Sequence, residues 1–239
     1  MNKDFKNKMI ELAKMINVEL TEEQIINFFE YMNLLLEWNE KINLTAITDV
    51  NDIILKHFID SMTIVKYLKE NNTMIDVGTG AGFPGIPIAI IDKTKKITLL
   101  DSLNKRINFL NEVSRELNIN NIETIHGRAE ELGQNKKYRE YYDVAVSRAV
   151  ANMTTLLEYL LPFVKVGGIC ICMKGSDIEQ ELDQSKFAIK ELGGEILSKE
   201  KFELPSSDME RNIIIIKKIK PTPNKYPRKA GMPSKMPIR

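Results

Sequence analysis

The succession of segments along the chain predicts an α/β fold: a doubly wound, mostly parallel seven-stranded sheet carrying an N-terminal helical extension. Three observations predict it. No glycine or proline precedes Gly78, and the stretch before it carries helical spacing. From Thr73 onward short apolar runs alternate with helical segments, the pattern of βαβ units whose parallel sheet is covered on both faces. Finally, "GGEILSKEKFEL" and "RNIIIIKKI" follow each other with no helix between them. Parallel neighbours need a long crossover and antiparallel ones only a loop, so the sheet is expected to end in an antiparallel insertion. The organisation expected is a helical region over 1–70, the α/β domain over 71–220 and a tail over 221–239.

In chain order, Thr21 to Gln24, "TEEQ", reads as a capping box, with a hydroxyl at the N-cap and an amide three residues on. Ile25, Phe29, Met32 and Leu36 then make one apolar stripe at helical spacing. "NDIILKHFIDSMTIVKYL" is a second amphipathic stretch. His57 within it reads as a packed core-edge histidine, and Trp38 as helix packing. The strands are "TMIDV", "KITLLD", "IETIHG", "YDVAVSRAV", "GGICICMKG" and the final two. Helices are expected over Gly85–Ile91, Lys105–Leu117, Asn152–Leu161 and Ile178–Leu192. The tail, from Lys217 onward, holds Lys217, Lys218, Lys220, Lys225, Arg228, Lys229, Lys235 and Arg239 and no acidic residue. Its prolines forbid a regular helix.

Composition narrows the function classes. The 239 residues are 43% hydrophobic and 28% charged, with a net charge of +1, so any contact with nucleic acid must come from a local patch. No apolar run reaches the ~18 residues of a membrane span, and the amino-terminal segment lacks a signal-peptide core. A cytoplasmic protein of bacterial type is expected. Cys170 and Cys172 share one face of a strand, and two cysteines with two histidines offer no structural zinc site.

The chemistry centres on Met74 to Ile88, "MIDVGTGAGFPGIPI". In an open parallel sheet, ligands bind beyond the carboxyl ends of the strands at a switch point. Gly78, Gly80 and Gly82 lie there, where a backbone without side chains lets a ligand approach. Read from Gly80 the glycines match a dinucleotide fingerprint, but Gly78 already follows the strand directly. Pro84 suits a first helical turn. Asp101 ends the next strand, where an acidic residue accepts ribose hydroxyls. Ala129 and Glu130 of "GRAEEL" fall at the same edge, near an adenine. A donor with a free ribose diol fits, and so does NAD. No Gly-Lys-Ser/Thr follows, so the loop is not a P-loop.

Taken together, "LLLEWNEKINLTAI", "KHFIDSM", "DVGTGAGFPGIPIAI", "LLDSLNKRINFL", "GRAEE", "SRAVA", "MKG" and "PTPNKYPRKAGMPSKMPIR" resemble the ribosomal RNA small subunit methyltransferase G family, also called glucose-inhibited division protein B. The resemblance runs from about Glu37 to Arg239. It implies a Rossmann-like class I methyltransferase that uses S-adenosyl-L-methionine to methylate N7 of a guanine in 16S ribosomal RNA. By motif position it implies that Gly78 and Phe83 contact the donor, that Ala129 and Glu130 frame its adenine and Asp101 its ribose, and that Arg148 lines the site.

The residues accord with that chemistry. Guanine N7 carries a lone pair and no proton, so alignment of donor and acceptor supplies most of the acceleration and no general base is needed. Pyrimidine C5 methylation needs an attacking cysteine, and both cysteines here lie in an apolar strand. Exocyclic amine methylation commonly uses an Asn/Asp-Pro-Pro-aromatic loop where this chain reads "SRAVAN". Arg148 is the expected positioning residue, for donor or substrate; as a structural residue it would pair with Asp76 or Glu130. Lys174, Lys225, Arg228, Lys229 and Lys235 are the expected RNA contacts, and the partner is 16S ribosomal RNA, a small subunit or an assembly intermediate, met by a monomer. The competing readings are an NAD-dependent oxidoreductase, which would need a hydride-handling pair, and an RNA-binding module with a vestigial donor site.

Overall fold

The computed structural model describes residues 3–68, 73–148, 151–175 and 178–239. Helices α1 (Lys3–Met15) and α2 (Glu22–Ile42) come first, followed by α3 (Val50–Ile53). This last runs without a break into a π-helical segment, Ile54–Ile59, and then α4 (Asp60–Met62). After a 3-10 turn the chain alternates: β1 (Thr73–Val77), α5 (Gly85–Ile91), β2 (Lys96–Asp101), α6 (Asn104–Glu116), β3 (Ile122–His126), α7 (Ala129–Leu132), β4 (Tyr142–Arg148), α8 (Met153–Leu160) and β5 (Val164–Lys174). Helix α9 (Glu179–Glu191), β6 (Gly194–Glu203), β7 (Glu210–Lys218) and the single turn α10 (Met232–Lys235) complete it. Ala149 and Val150, which the sequence reading included in the fourth strand, lie outside the described residues.

The seven strands are ordered β3-β2-β1-β4-β5-β7-β6. Strands β1 to β5 are parallel, and β7 enters antiparallel between β5 and β6. The chain therefore winds outward in both directions from the β1/β4 pair, which makes the carboxyl ends of those two strands the switch point.

Two apolar clusters cover the two faces. One unites α1, α2 and the π segment with α5, α6 and sheet residues as far as Ile213 and Ile215. The other joins α8 and α9 to the opposite face and takes in Tyr226 and Ile238 of the tail. The leading helices thus share the first core with the sheet, and the tail shares the second.

The capping box closes as expected: Gln24 N–H donates to Thr21 Oγ1, and Thr21 N–H to Gln24 Oε1. The buried stripe of α2, however, is Ile25, Phe28, Tyr31, Met32 and Leu35, turned slightly from the expected one. Phe29 and Leu36 flank it, half-buried, and Phe29 meets Phe5 of α1 in an edge contact. Cys170 and Cys172 are buried side by side, with sulfurs 3.7 Å apart. Trp38 packs against the Phe109 ring at 5.7 Å.

Candidate active site

The glycine loop leaves β1 at Val77 and is tied at once to its neighbour strand: Gly78 and Thr79 both donate to the Leu100 carbonyl. Its floor is Asp76. One carboxylate oxygen, Oδ2, accepts the Thr79 hydroxyl at 2.6 Å and the Gly85 N–H at 2.9 Å. The other, Oδ1, is buried with no hydrogen-bond partner. Burial pushes this carboxyl up to about 6, although the two donors and Arg148 pull it down.

Two glycines make the loop possible. Gly82, at φ +102°, would place a Cβ 2.4 Å from Ile86 Cγ1 and 2.8 Å from the Tyr31 hydroxyl. Gly80, at φ +64°, would point its Cβ into open space, a backbone face that a ligand can approach. Tyr31 reaches up from α2 and donates its hydroxyl to the Ala81 carbonyl.

Phe83 closes the loop on the β4 side. His57 stacks on its ring at 4.4 Å and 16°, and the Arg148 guanidinium lies 5.0 Å from its centre, within cation–π range. Arg148 is held by the π segment: Nη1 donates to the Lys56 carbonyl at 3.0 Å and to Asp60 Oδ2 at 3.1 Å, and Nη2 to His57 Nδ1 at 3.2 Å. Its ionic partner is thus Asp60 rather than Asp76 or Glu130. The reason is local geometry: a wide helical turn brings Lys56, His57 and Asp60 together under the end of β4. His57 Nε2 meets Thr45 Oγ1 at 2.8 Å. Burial, with the Arg148 charge, holds His57 down at about 3, so the imidazole is neutral, accepts at Nδ1 and donates at Nε2.

On the other side of the loop Asp101 is buried beside Gly80, whose N–H it accepts at 2.9 Å; it also accepts from Leu103 N–H and pairs with Arg106. Gly127 donates to the Asp101 carbonyl, which brings Ala129 and Glu130 to the same edge. The Glu130 carboxylate accepts Gly231 N–H at 2.9 Å, so the tail is its immediate neighbour. The fold therefore gathers Gly78, Gly80, Phe83, Asp101 and Arg148 around one loop, with Ala129 and Glu130 at its rim.

The basic residues fall into two groups. Arg228 clasps the buried Glu158 through Nε and Nη2, and its backbone N–H donates to the same carboxylate. Lys174 pairs with Glu181 at 2.6 Å and donates to the Ala151 carbonyl. Both are expected RNA contacts, and each is also engaged by a carboxylate, Lys174 by Glu181 and Arg228 by Glu158. Lys218, fully buried, donates to two backbone carbonyls and the Thr222 hydroxyl. Lys225 makes a surface pair with Glu191. Lys229 and Lys235 are exposed, with no ion pair among the described residues.

Sequence reasoning missed Asp60 and Arg211, both at the wall of an open cavity of about 260 Å³ beside Arg148, which Lys56, Lys174 and Asn212 also line. Arg211 Nε donates to Asp60 Oδ1 at 3.1 Å. The signal was present: His57 and Asp60 interrupt an otherwise apolar stripe of Ile53, Ile54 and Phe58.

Comparison with known proteins gives the fold and the family. Among solved structures, TYW2 of M. jannaschii, in complex with AdoMet, superposes with a TM-score of 0.50 at 17% identity over 66% of this chain and 74% of its own. TrmN of Thermus thermophilus gives 0.52 at 13% identity over 67% and 48%. These show the fold. Residues 24–214 match the family model described as rRNA small subunit methyltransferase G. Ribosomal RNA small subunit methyltransferase G of Alkaliphilus oremlandii is 53% identical over 99% of this chain and 100% of its own, and that of Acetivibrio thermocellus 55% identical over 96% and 95%. The chain belongs to the rRNA small subunit methyltransferase G family.

Proposed function

We propose that this protein transfers a methyl group from S-adenosyl-L-methionine to N7 of a guanine in 16S ribosomal RNA. The family supports the substrate, and one observation carries the chemistry. His57, the imidazole beside Arg148, is neutral with both ring nitrogens bonded, so it is not free to act as a general base. Guanine N7 asks for none: its lone pair takes the methyl, the sulfur keeps the electron pair of the breaking bond, and no proton moves.

The residues fit the donor. Gly80 leaves an open backbone face, and Asp76 Oδ1 is a buried acceptor that lacks a donor, as a cationic or N–H-bearing ligand would supply. S-adenosyl-L-methionine supplies a methyl made electrophilic by its sulfonium. Gly78 and Gly80 give backbone access, Phe83 walls the loop, Asp101 and Glu130 offer carboxylates to ribose and adenine, and Arg148 fixes the geometry between donor and acceptor. Lys229 and Lys235, with Lys225 at the surface, supply the salt-dependent attraction to phosphates, while Lys174 and Arg228 contribute only where RNA outcompetes their carboxylates. We place the reaction in the cytoplasm, on 16S ribosomal RNA or an assembling small subunit, with the protein acting as a monomer.

Mapping N7-methylguanine in 16S ribosomal RNA, with and without the protein, tests the reading. S-adenosylhomocysteine should raise the melting temperature and NAD should not, by mass action on the folded state. Replacing Arg148 with alanine should lower methyl transfer by roughly 100-fold, the scale of a misaligned reaction. Near-normal transfer with donor and RNA binding unchanged would remove Arg148 from the mechanism.

A further inference from the structure

We infer that Asp60 is a positioning residue that keeps Arg211 from gripping the target guanine at the very atom to be methylated. The inference rests on the guanine-N7 reading above and names the residue that protects that atom.

Arginine's commonest specific contact with guanine is bidentate, with two guanidinium nitrogens on O6 and N7 together. In a site that methylates N7 such a grip is unproductive, because the lone pair that must attack is engaged with a donor. Two arginines line the cavity beside the donor loop, Arg148 and Arg211, so the hazard is present on both.

Asp60 acts on both. It is only 4% exposed, and each of its oxygens takes one guanidinium: Oδ2 from Arg148 Nη1 and Oδ1 from Arg211 Nε, both at 3.1 Å. On Arg148, Nη1 also serves the Lys56 carbonyl and Nη2 serves His57. On Arg211, Nη1 donates to the Glu210 carbonyl. Nη2 is the Arg211 nitrogen that has no bond among the described residues. With Nε engaged by Asp60, the side-on edge formed by Nε and Nη2 cannot close on two acceptors, and Nη1, the other half of the end-on edge, already serves the Glu210 carbonyl. Nη2 can still donate singly, and the acceptor next to N7 on guanine is O6. A single bond to O6 holds the base and leaves N7 open.

The π segment makes this possible. Asp60 begins α4 directly after Ile54–Ile59, and the wider turn sets it level with Lys56 and His57. Strands β4 and β7 deliver the two arginines from sequence separations of 88 and 151 residues.

The test is steady-state methylation of 16S ribosomal RNA by Asp60→Ala, with product mapping. Arg211 then regains its fork, so kcat is expected to fall roughly 100-fold while KM for RNA stays level or drops. A merely structural residue would raise KM or lower both parameters through instability; S-adenosylhomocysteine-induced stabilisation checks folding. Adding Arg211→Lys to Asp60→Ala supplies a cation that cannot fork and should restore part of kcat. Asp60→Asn keeps the volume and one accepting oxygen; it should move in the same direction by less, and decides the matter where the alanine variant does not fold. A raised KM with kcat intact, or a double variant no better than the single, overturns the inference. If the wild type leaves no N7-methylguanine, the functional reading itself falls; if it does and the variants split the other way, only the role of Asp60 falls.

Discussion

Replacing Asp76 with asparagine isolates the consequence of burying a carboxyl group under the glycine loop. Burial holds this group at about 6 against an ordinary value of 3.8. Between those values the unfolded chain has lost its proton and the folded protein has kept it. The folded state binds more protons, so stability falls as pH rises. The contribution is complete below about pH 4 and gone once pH passes the folded value near 6. A pKa difference of about two corresponds to roughly 3 kcal/mol. Asparagine cannot ionise, and its carbonyl can still accept from Thr79 and Gly85. Relative to wild type the variant should therefore gain roughly 3 kcal/mol between pH 4 and pH 7. Urea unfolding of both proteins across that range measures it. His57 works in the opposite sense: held down at about 3, it gives stability that is present above its ordinary value of 6.5 and is lost as pH falls below that. It does so in both proteins, so the difference between them cancels its effect. A difference that stays flat from pH 4 to 7 would refute the reasoning, and so would one that favours wild type at the higher pH.

Three further outcomes follow from the geometry. Gly82→Ala forces a positive φ and a Cβ into Ile86 and Tyr31, so it should cost about 2–4 kcal/mol by chemical denaturation and weaken S-adenosylhomocysteine binding. Glu158→Gln breaks the buried clasp on Arg228, at a cost of about 3 kcal/mol; trypsin should then cut the tail at Lys225, Arg228 or Lys229 at concentrations that leave wild type whole. Lys229→Ala and Lys235→Ala should each reduce the slope of log affinity for RNA against log salt by about 1, and an unchanged slope would exclude that residue from phosphate contact.

Much of the fold was legible because its signals are local. The apolar runs of β1, β2 and β5 and the capping box at Thr21 depend on nearest neighbours in sequence. The missing helix before the last strand dictated the antiparallel entry of β7. The glycine loop, Asp101 and the strand-end position of Arg148 were legible for the same reason. What escaped depends on residues far apart. The π turn is supported by arginines on two strands, so nothing local marks its width. Charge counting found the basic residues, yet the carboxylates that pair with Arg228 and Lys174, Glu158 and Glu181, lie on α8 and α9. The buried stripe of α2 is turned slightly because Phe28, Tyr31 and Leu35, rather than Phe29 and Leu36, belong to the buried core.

The hydroxyl of Tyr31 has a consequence for how the protein assembles. It bonds to Ala81 across 50 residues of sequence, and the same side chain would meet any Cβ at Gly82. Helix α2 is therefore part of the loop's mould, and its apolar face belongs to the same cluster as α5 and α6. Strands β1 and β2 can pair from nearby sequence, but the loop between them sets only when a helix from the other end of that long contact docks. The amides of Gly82 and Phe83 and those of central α2 should then open together, as one cooperative unit, in native-state hydrogen exchange. A sheet without its leading helices would keep every glycine and lose the shape they exist to make.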